Sequence, residues 1–439
     1  MVTNETHDPT LRCWVTEATD ITGDFPIQNL PVGVFRRRGI GEPFRGGVAI
    51  GGSVVDVTAC LDACLFDGLA AEAAVEFRGT TLNLFLGRGP AHWSALRLAL
   101  SRLLRGDKPP PGIDPGRILA PMADVEMALP ADVRDYTDFF ASIDHASNAG
   151  RISKSDPLLP PNYRHMPLAY HGRASTIAIG GTPCRRPSGQ VMRRGAEAPS
   201  FEPSRSLDYE LELAAVVGPG NPLGTSIPLA EAEPHVFGFC LLNDWSARDM
   251  QGWEQRPLGP FLGKSFLTSI SPWIVTMEAL APFRVAARPR DADDPPLLPY
   301  LDAPDDRAHG GIDIVVEAWL ASASMRAAGT APFRLSRGRF RNTYWTIFQM
   351  LAHHTSNGCA VAPGDLIASG TISAAEPDGP GSLLELSDGG RKPLSLPSGE
   401  GRRFLEDGDE VIFRGRCSRD GFVGIGFGEC RGLVVPAAA

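Results

Sequence analysis

The sequence predicts a mainly β, α+β protein of two folded units: a small N-terminal β-barrel followed by a larger, mainly β domain. Three observations predict it. The 439 residues include 48 Gly and 39 Pro, which cut the chain into short pieces and favour turns over long helices. Apolar runs of strand length, bounded by turn-forming residues, recur through most of the chain. A Pro/Gly-rich break, GDKPPPGIDPG at 106–116, separates a helical stretch from a strand-rich remainder. The expected organisation is therefore an extension at 1–18, a first domain at 19–117 and a second at 118–439.

Residues 1–18 read as a loosely ordered extension. DFPIQNLPVGVF and GGVAIGGSVVDVTA open the barrel with short apolar runs punctuated by Gly. From Asp62 to Leu104 the spacing turns helical, as in AHWSALRLALSRLL. The second domain begins near ILAPMADVEMALPADVRDYTDFFAS, and strand-length segments follow through Val217. FGFCLLND reads as a core strand ending at Asp244, and SPWIVTMEAL as another. APFRVAARPRDADDPPLLPYLDAPDD is an acidic, Pro-rich surface excursion. GIDIVVEAWLAS resumes the sheet. NTYWTIFQMLAHHTSNG is a helix, with Tyr344, Ile347, Phe348 and Leu351 on one face and Gly358 as its stop. GDLIASGTIS, SLLELSD, DEVIFRGRC and FVGIGFGECRG close the chain as short strands.

Composition excludes several functions. A net charge of −9 argues against nucleic acid, whose binding needs clustered Lys and Arg against phosphates. No apolar run approaches the length of a membrane span, and MVTNETHDPTLRCW has neither the basic nor the apolar region of a signal peptide. The eight cysteines are scattered without a CxxC pair, so neither a zinc site nor a disulfide framework is expected. A cytoplasmic protein with reduced thiols follows.

The chemistry concentrates between Leu207 and Phe266. In LDYELELAAVV, Leu207, Tyr209, Leu211 and Leu213 alternate with Asp208, Glu210 and Glu212, the period of a strand. Glu210 and Glu212 then share a face, with Cα atoms about 6–7 Å apart. Two ionised carboxylates at that separation repel by roughly 2–3 kcal/mol at an effective dielectric near 20. Next to an apolar run, such a pair needs a raised pKa or a cation; the alternative is a solvated sheet face paired with Lys or Arg. Asp138 and Asp244, also flanked by apolar residues, complete four candidate ligands. All-oxygen ligands suit a hard cation, Ca²⁺ or Mg²⁺.

GPFLGKS at 259–265 is one residue short of a P-loop and lacks its strand–helix setting, so a nucleotide site is rejected. Lys264 stays a candidate cation beside the carboxylates, able to stabilise an oxyanion, or else a surface lysine. His145, seven residues after Asp138, is a candidate general base or a structural histidine. His171, His353 and His354 carry no supporting motif. HHTS is not HExxH and no G-x-S-x-G occurs, which leaves zincin and serine-hydrolase readings without support.

In order along the chain, DFPIQNLPVGVF, DYTDFFASIDHASNAG, YHGRAS, GTPCRRPSGQ, LDYELELAAVVGPGN, NDWSARDMQGWE, PLGPFLGKSF and ASGTIS resemble the blocks of the fumarylacetoacetate hydrolase family. The likeness runs from about residue 22 to 435. It implies an SH3-like N-terminal barrel, a C-terminal mixed β-sandwich roll carrying the active site, and a homodimer. It implies a divalent cation on Asp138, Glu210, Glu212 and Asp244, and a further cation site at Asp244, Lys264 and Thr268. His145 matches the general base and Glu385 its acidic partner. Arg248 and Gln251 match groups that bind and polarise substrate, and Tyr170, Gly370 and Thr371 match further contacts.

The implied reaction is hydrolysis of a C–C bond in a β-diketo acid, 4-fumarylacetoacetate, to fumarate and acetoacetate, the last step of tyrosine and phenylalanine catabolism. Three positions depart from the animal pattern: Phe140 and Gln255 stand where substrate-binding tyrosines are expected, and Lys154 falls near a substrate-binding arginine. Lost hydroxyls bear on which diketo acid is preferred. A related acylpyruvate hydrolase or decarboxylase on the same scaffold is the enzymatic alternative, and a cation-stabilised β protein without activity is the other.

Overall fold

The computed structural model describes residues 2–20 and 22–438 and shows a mixed α/β protein built on three main sheets. The N-terminal sheet has five strands, in the order Leu119–Pro121, Ser53–Asp56, Arg45–Ile50, Val32–Arg37 and Val125–Ala128, all antiparallel. The helices Gly68–Val75 and Pro90–Leu104 cover it, burying Phe77, Phe85, Trp93, Leu96 and Leu100. Two expectations are corrected here. The run at 106–116 is a loop inside this unit, because the strands at 119–121 and 125–128 return to pair with 53–56 and 32–37. Local composition marks where a helix stops, whereas strand pairing is decided at a distance. The stretch 1–18, expected to be loosely ordered, is anchored: Asn4 Nδ2 donates to Glu278 Oε1 at 2.7 Å, Trp14 Nε1 donates to the Leu103 carbonyl at 3.0 Å, and Cys13 and Val15 are buried.

The central sheet has eight strands. Its main path runs Ala169–His171, Tyr136–Phe139, Leu366–Ala368, Leu211–Val217, Val236–Asp244, Thr268–Ile270 and Ile177–Ile179. Leu211–Val217 and Val236–Asp244 are buried along their whole length and read as near-continuous apolar runs. The reason is that both faces are covered. Leu213, Ala215 and Val217 pack into the C-terminal core, while Ala214 and Val216 pack with the N-terminal unit. Phe237 joins the second group, with Trp93 edge-on at 4.9 Å and Phe85 at 5.5 Å. A further five-stranded sheet, Phe333–Arg339, Val315–Ala321, Glu410–Cys417, Ile425–Val435 and Cys184–Arg185, completes the C-terminal core.

Register brings one end of the central sheet together. Leu211 pairs with Asn243, Asp244 with Thr268, and Asp138 with both Tyr170 and Ala368. Two helices flank that end. Ile143–Ser153, in a region expected to be strands, starts on the Ser142 side chain, which accepts from the His145 N–H. SLLELSD, expected as a strand, contains the single helical turn Leu383–Leu386, capped by Ser382. Its apolar residues are too few to distinguish the two periods. The helix Ile347–Thr355 forms with a Thr346–Gln349 capping box; Ile347, Phe348 and Leu351 are buried as expected, and Gly358 beyond its end has φ +85°.

Candidate active site

At the converging strand ends, one carboxylate oxygen from each of Asp138, Glu210, Glu212 and Asp244 lies within 4.8 Å of the others, and all four residues are buried. The strand expected over 207–213 is broken. Leu207–Asp208 pairs with Ser246–Ala247, Glu210 forms an isolated bridge to Ser382, and the sheet resumes at Leu211. Glu210 and Glu212 nevertheless reach one cluster. The pairing alternative holds in part, since Glu210 is bound by two cations, but its solvated face does not exist: Glu212 is fully enclosed.

The Lys264 Nζ donates to Glu210 Oε2 and Asp244 Oδ2, each at 2.6 Å. Arg248 donates from Nη1 to Glu210 Oε1 at 2.6 Å and to Gln251 Oε1 at 3.2 Å, and from Nε to Asp208 Oδ2 at 2.8 Å. Asp208 also accepts the backbone N–H groups of Leu383 and Leu384. Tyr170 donates its hydroxyl to Asp244 Oδ2 at 2.8 Å, and Thr268 Oγ1 reaches Asp244 Oδ1 at 3.4 Å. Five buried carboxyl groups thus lie beside two cations, the buried Lys264 and the half-buried Arg248, which pair directly with Asp208, Glu210 and Asp244. Both oxygens of Glu212 and Oδ1 of Asp138 have no hydrogen-bond partner. Unpartnered buried acceptors cost about 1–3 kcal/mol each, more when charged. Orphaned oxygens at the centre of a four-carboxylate cluster fit a hard divalent cation.

Electrostatics divides the four. Burial opposes the Glu210 carboxylate, but Lys264 and Arg248 outweigh it and hold its pKa well below the usual range. Burial pushes Asp138 and Glu212 well above that range; Asp244 adds to the rise for Asp138, and Asp138 does so for Glu212. Without a cation, burial and the neighbouring carboxyl groups favour the protonated form of both. A carboxyl with a raised folded pKa contributes stability below its unfolded pKa and loses it as pH rises through the folded value. Chelated protein should therefore melt at progressively lower temperature as pH is raised, and Ca²⁺ should stabilise it more at pH 8 than at pH 5.5. Melts at the two pH values, with and without chelator, check this; a stabilisation that does not depend on pH would contradict it.

His145 stands beside the cluster on the helix Ile143–Ser153 and is buried. Its Nδ1 is 2.7 Å from Glu385 Oε2. Glu385 is buried too, and burial opposes its charge, but His145, Asn148 and Ser382 lower its pKa below the ordinary value. Beside an ionised carboxylate, the neutral imidazole places its proton on Nδ1 and leaves Nε2 a free lone pair, the form a general base requires. The Phe140 ring packs edge-on against the imidazole at 5.4 Å.

A cleft of about 780 Å³ joins these groups. His145, Glu210, Arg248 and Lys264 line its floor, and Gln251, Gln255, Phe140 and Tyr170 its sides. Gly370 and Thr371 form part of the wall. Gly370 has φ +72°, and a Cβ there would fall 2.0 Å from the Phe139 carbonyl, so no other residue fits. Thr268 lies behind the cluster, in a second recess of about 210 Å³ shared with Tyr170, Asp244 and Lys264. Lys154 is exposed at the helix end, in the left-handed region; it is absent from the cleft lining, although Ser153 and Ser155 on either side belong to it. His354 bonds Thr137, and His353 bonds Tyr300. Sequence reasoning missed Asp208, which ties Arg248 to the turn carrying Glu385, and Asn148, Ser373 and Ser382 around Glu385. The alternation that exposed Glu210 and Glu212 also contains Asp208, and this was the available signal.

Residues 28–130 match the sequence family Fumarylacetoacetase N-terminal, and residues 136–435 match Fumarylacetoacetate (FAA) hydrolase C-terminal. The chain is 48% identical to a fumarylacetoacetase of Oryza sativa subsp. japonica, over 94% of this chain and 95% of the relative. It is 46% identical to fumarylacetoacetases of Rattus norvegicus and Homo sapiens, in each case over 94% of this chain and 97% of the relative.

Proposed function

The chain belongs to the fumarylacetoacetate hydrolase family, and from that membership we infer that it is a hydrolase cleaving the C–C bond of 4-fumarylacetoacetate to give fumarate and acetoacetate. One observation carries the reading: the hydrogen-bonded His145–Glu385 pair opens into the same cleft as a buried four-carboxylate cluster with orphaned oxygens.

In this reading His145 Nε2 takes a proton from water as the oxygen attacks the substrate carbonyl, and Glu385 steadies the imidazolium that forms. The oxyanion is met by donors already fixed in place. Arg248 has a buried Nη2 with no partner, and Lys264 has a third N–H beyond its two carboxylate bonds. Gln251, whose Oε1 is engaged by Arg248, has its amide N–H groups left for the substrate. Asp208 keeps Arg248 oriented by the opposite side of its guanidinium. As the C–C bond breaks, the imidazolium can return its proton to the departing carbon. Asp138, Glu210, Glu212 and Asp244 would hold the cation, Ca²⁺ or Mg²⁺, with Lys264 and Thr268 beside Asp244. When bound, that ion supplies Lewis acidity towards the diketone oxygens and the enolate charge.

Phe140, Tyr170, Gln255, Gly370 and Thr371 are the substrate-facing wall. Phe140 and Gln255 cannot supply phenolic hydroxyls, so their contribution is shape and, for Gln255, an amide. Lys154, between the cleft-lining Ser153 and Ser155, is placed at the cleft edge as a substrate contact. We assign the N-terminal sheet to an SH3-like barrel and the C-terminal sheets to a β-roll, joined between residues 128 and 136. A homodimer is supported by the exposed apolar side chains Trp253, Leu258, Phe261 and Leu262. A cytoplasmic location is supported by unbonded cysteines and, among the described residues, by no helix long and apolar enough to cross a membrane. Purified protein assayed on fumarylacetoacetate and on acylpyruvates decides the substrate. Turnover of the first is expected; turnover of acylpyruvates alone would overturn the assignment.

A further inference from the structure

The Glu385 carboxylate receives more than the histidine. Oε1 accepts from Asn148 Nδ2 at 2.9 Å; Oε2 accepts from Ser382 Oγ at 2.9 Å and Ser373 Oγ at 3.0 Å in addition to His145. His145 and Asn148 sit three residues apart on the helix Ile143–Ser153, which places both on the face towards Glu385. The serines are themselves oriented. Ser373 Oγ accepts the Gly381 N–H at 2.9 Å, which leaves its single proton for Glu385. Ser382 caps the turn that carries Glu385, accepting from the Glu385 N–H while donating to the carboxylate. Ser142, the cap of the helix bearing His145, bonds both the N–H and the carbonyl of Ser373. The base and its acid are thus held in one hydroxyl–amide frame.

A neutral histidine facing a carboxyl can adopt two arrangements. If the carboxyl is ionised, Nδ1–H donates to it and Nε2 is bare. If the carboxyl is protonated, its O–H donates to Nδ1 and the ring proton moves to Nε2, which then cannot act as a base. Three neutral donors on one carboxylate favour the first arrangement, because a carboxylic acid cannot accept them all and still point its proton at His145.

We propose that Asn148, with Ser373 and Ser382, is a positioning residue that sets the His145 tautomer: these donors hold Glu385 as a pure acceptor, and Nε2 is thereby left unprotonated towards the cleft. Ser373 and Ser382 crowd Oε2, the oxygen that would carry the proton, and Asn148, the only donor on Oε1 among the described residues, fixes rotation of the carboxylate so that Oε2 stays on His145. This role rests on the assignment of His145 as the base, and the test separates the two.

The variants are Asn148→Leu, close in shape but without a donor, and Ser373→Ala. The readouts are steady-state kinetics on fumarylacetoacetate and the imidazole ¹⁵N shifts of His145, which report the tautomer directly. Expected for each variant are a kcat lower by about 10–100-fold, the range for outer partners of a positioned histidine, a KM within about twofold of the parent, and ¹⁵N shifts moved towards the Nε2–H form. Parental kcat with parental shifts would overturn the proposal. So would a lowered kcat with unchanged shifts, which marks a structural role only. Should the parent protein fail to hydrolyse the diketone, the proposed function falls, while the ¹⁵N shifts still decide whether Asn148 sets the tautomer. The melting temperature of each variant identifies any that has not folded, and the other then carries the test.

Discussion

Replacing His145 with alanine is expected to lower kcat by about 10²–10⁴-fold, the contribution of a positioned general base, while leaving cation binding intact. The second half of the expectation follows from geometry. His145 bonds Glu385, and the four carboxylates that approach one another come from other positions. Removing the imidazole also leaves Glu385 with Asn148, Ser373 and Ser382 as donors, so its buried charge stays supported and the fold should survive. Calorimetric titration with Ca²⁺ alongside steady-state kinetics separates the roles. Turnover at the parental rate would remove His145 as the base; a lost binding isotherm would make it part of the cation site.

Glu212→Gln should act in two opposite directions. Glu212 is buried among other carboxyl groups and burial favours its neutral form, so an amide, which cannot ionise, should hold up the melting temperature of the cation-free protein at pH 8 and change it little at pH 5.5. The same change removes a charged ligand, and cation affinity should fall by on the order of 100-fold or more, since even outer-shell partners cost 10–100-fold. The equivalent change at Glu210 should behave differently. Glu210 is already neutralised by Lys264 and Arg248, and an amide there leaves two cations short of a partner, so Glu210→Gln should destabilise the cation-free chain. A Glu212→Gln protein with the parental isotherm would exclude Glu212 as a ligand.

What could be read from the sequence follows from how local each signal is. The Glu210–Glu212 pair was visible because alternation is a two-residue property, and Asp138 and Asp244 because apolar neighbours announce burial. The cluster they form was not visible, since it depends on the register of strands distant in sequence: Asp138 precedes Glu210 by 72 residues and Asp244 follows Glu212 by 32. The His145–Glu385 pair spans 240 residues, and only family resemblance joined it. Asp208 and Asn148 are ordinary polar residues whose importance lies in bonds to residues far along the chain, and Ser373 and Ser382 matter only through a carboxylate whose histidine partner is distant. The helix Ile143–Ser153 and the turn Leu383–Leu386 were hidden by short, weakly patterned segments, and the packed N-terminal stretch by anchoring through single hydrogen bonds rather than periodicity. The N-terminal sheet ran past the Pro/Gly break because its last strands return to pair with its first.

The buried carboxylates Asp138, Glu210, Glu212 and Asp244 are expected to hold a cation that the reaction uses. Turnover of fumarylacetoacetate by chelator-stripped protein, titrated back with Ca²⁺ or Mg²⁺, tests this most directly. Activity is expected to be lost on stripping and to return in saturable fashion as the cation is restored. Full turnover by protein shown to be free of divalent metal would contradict it.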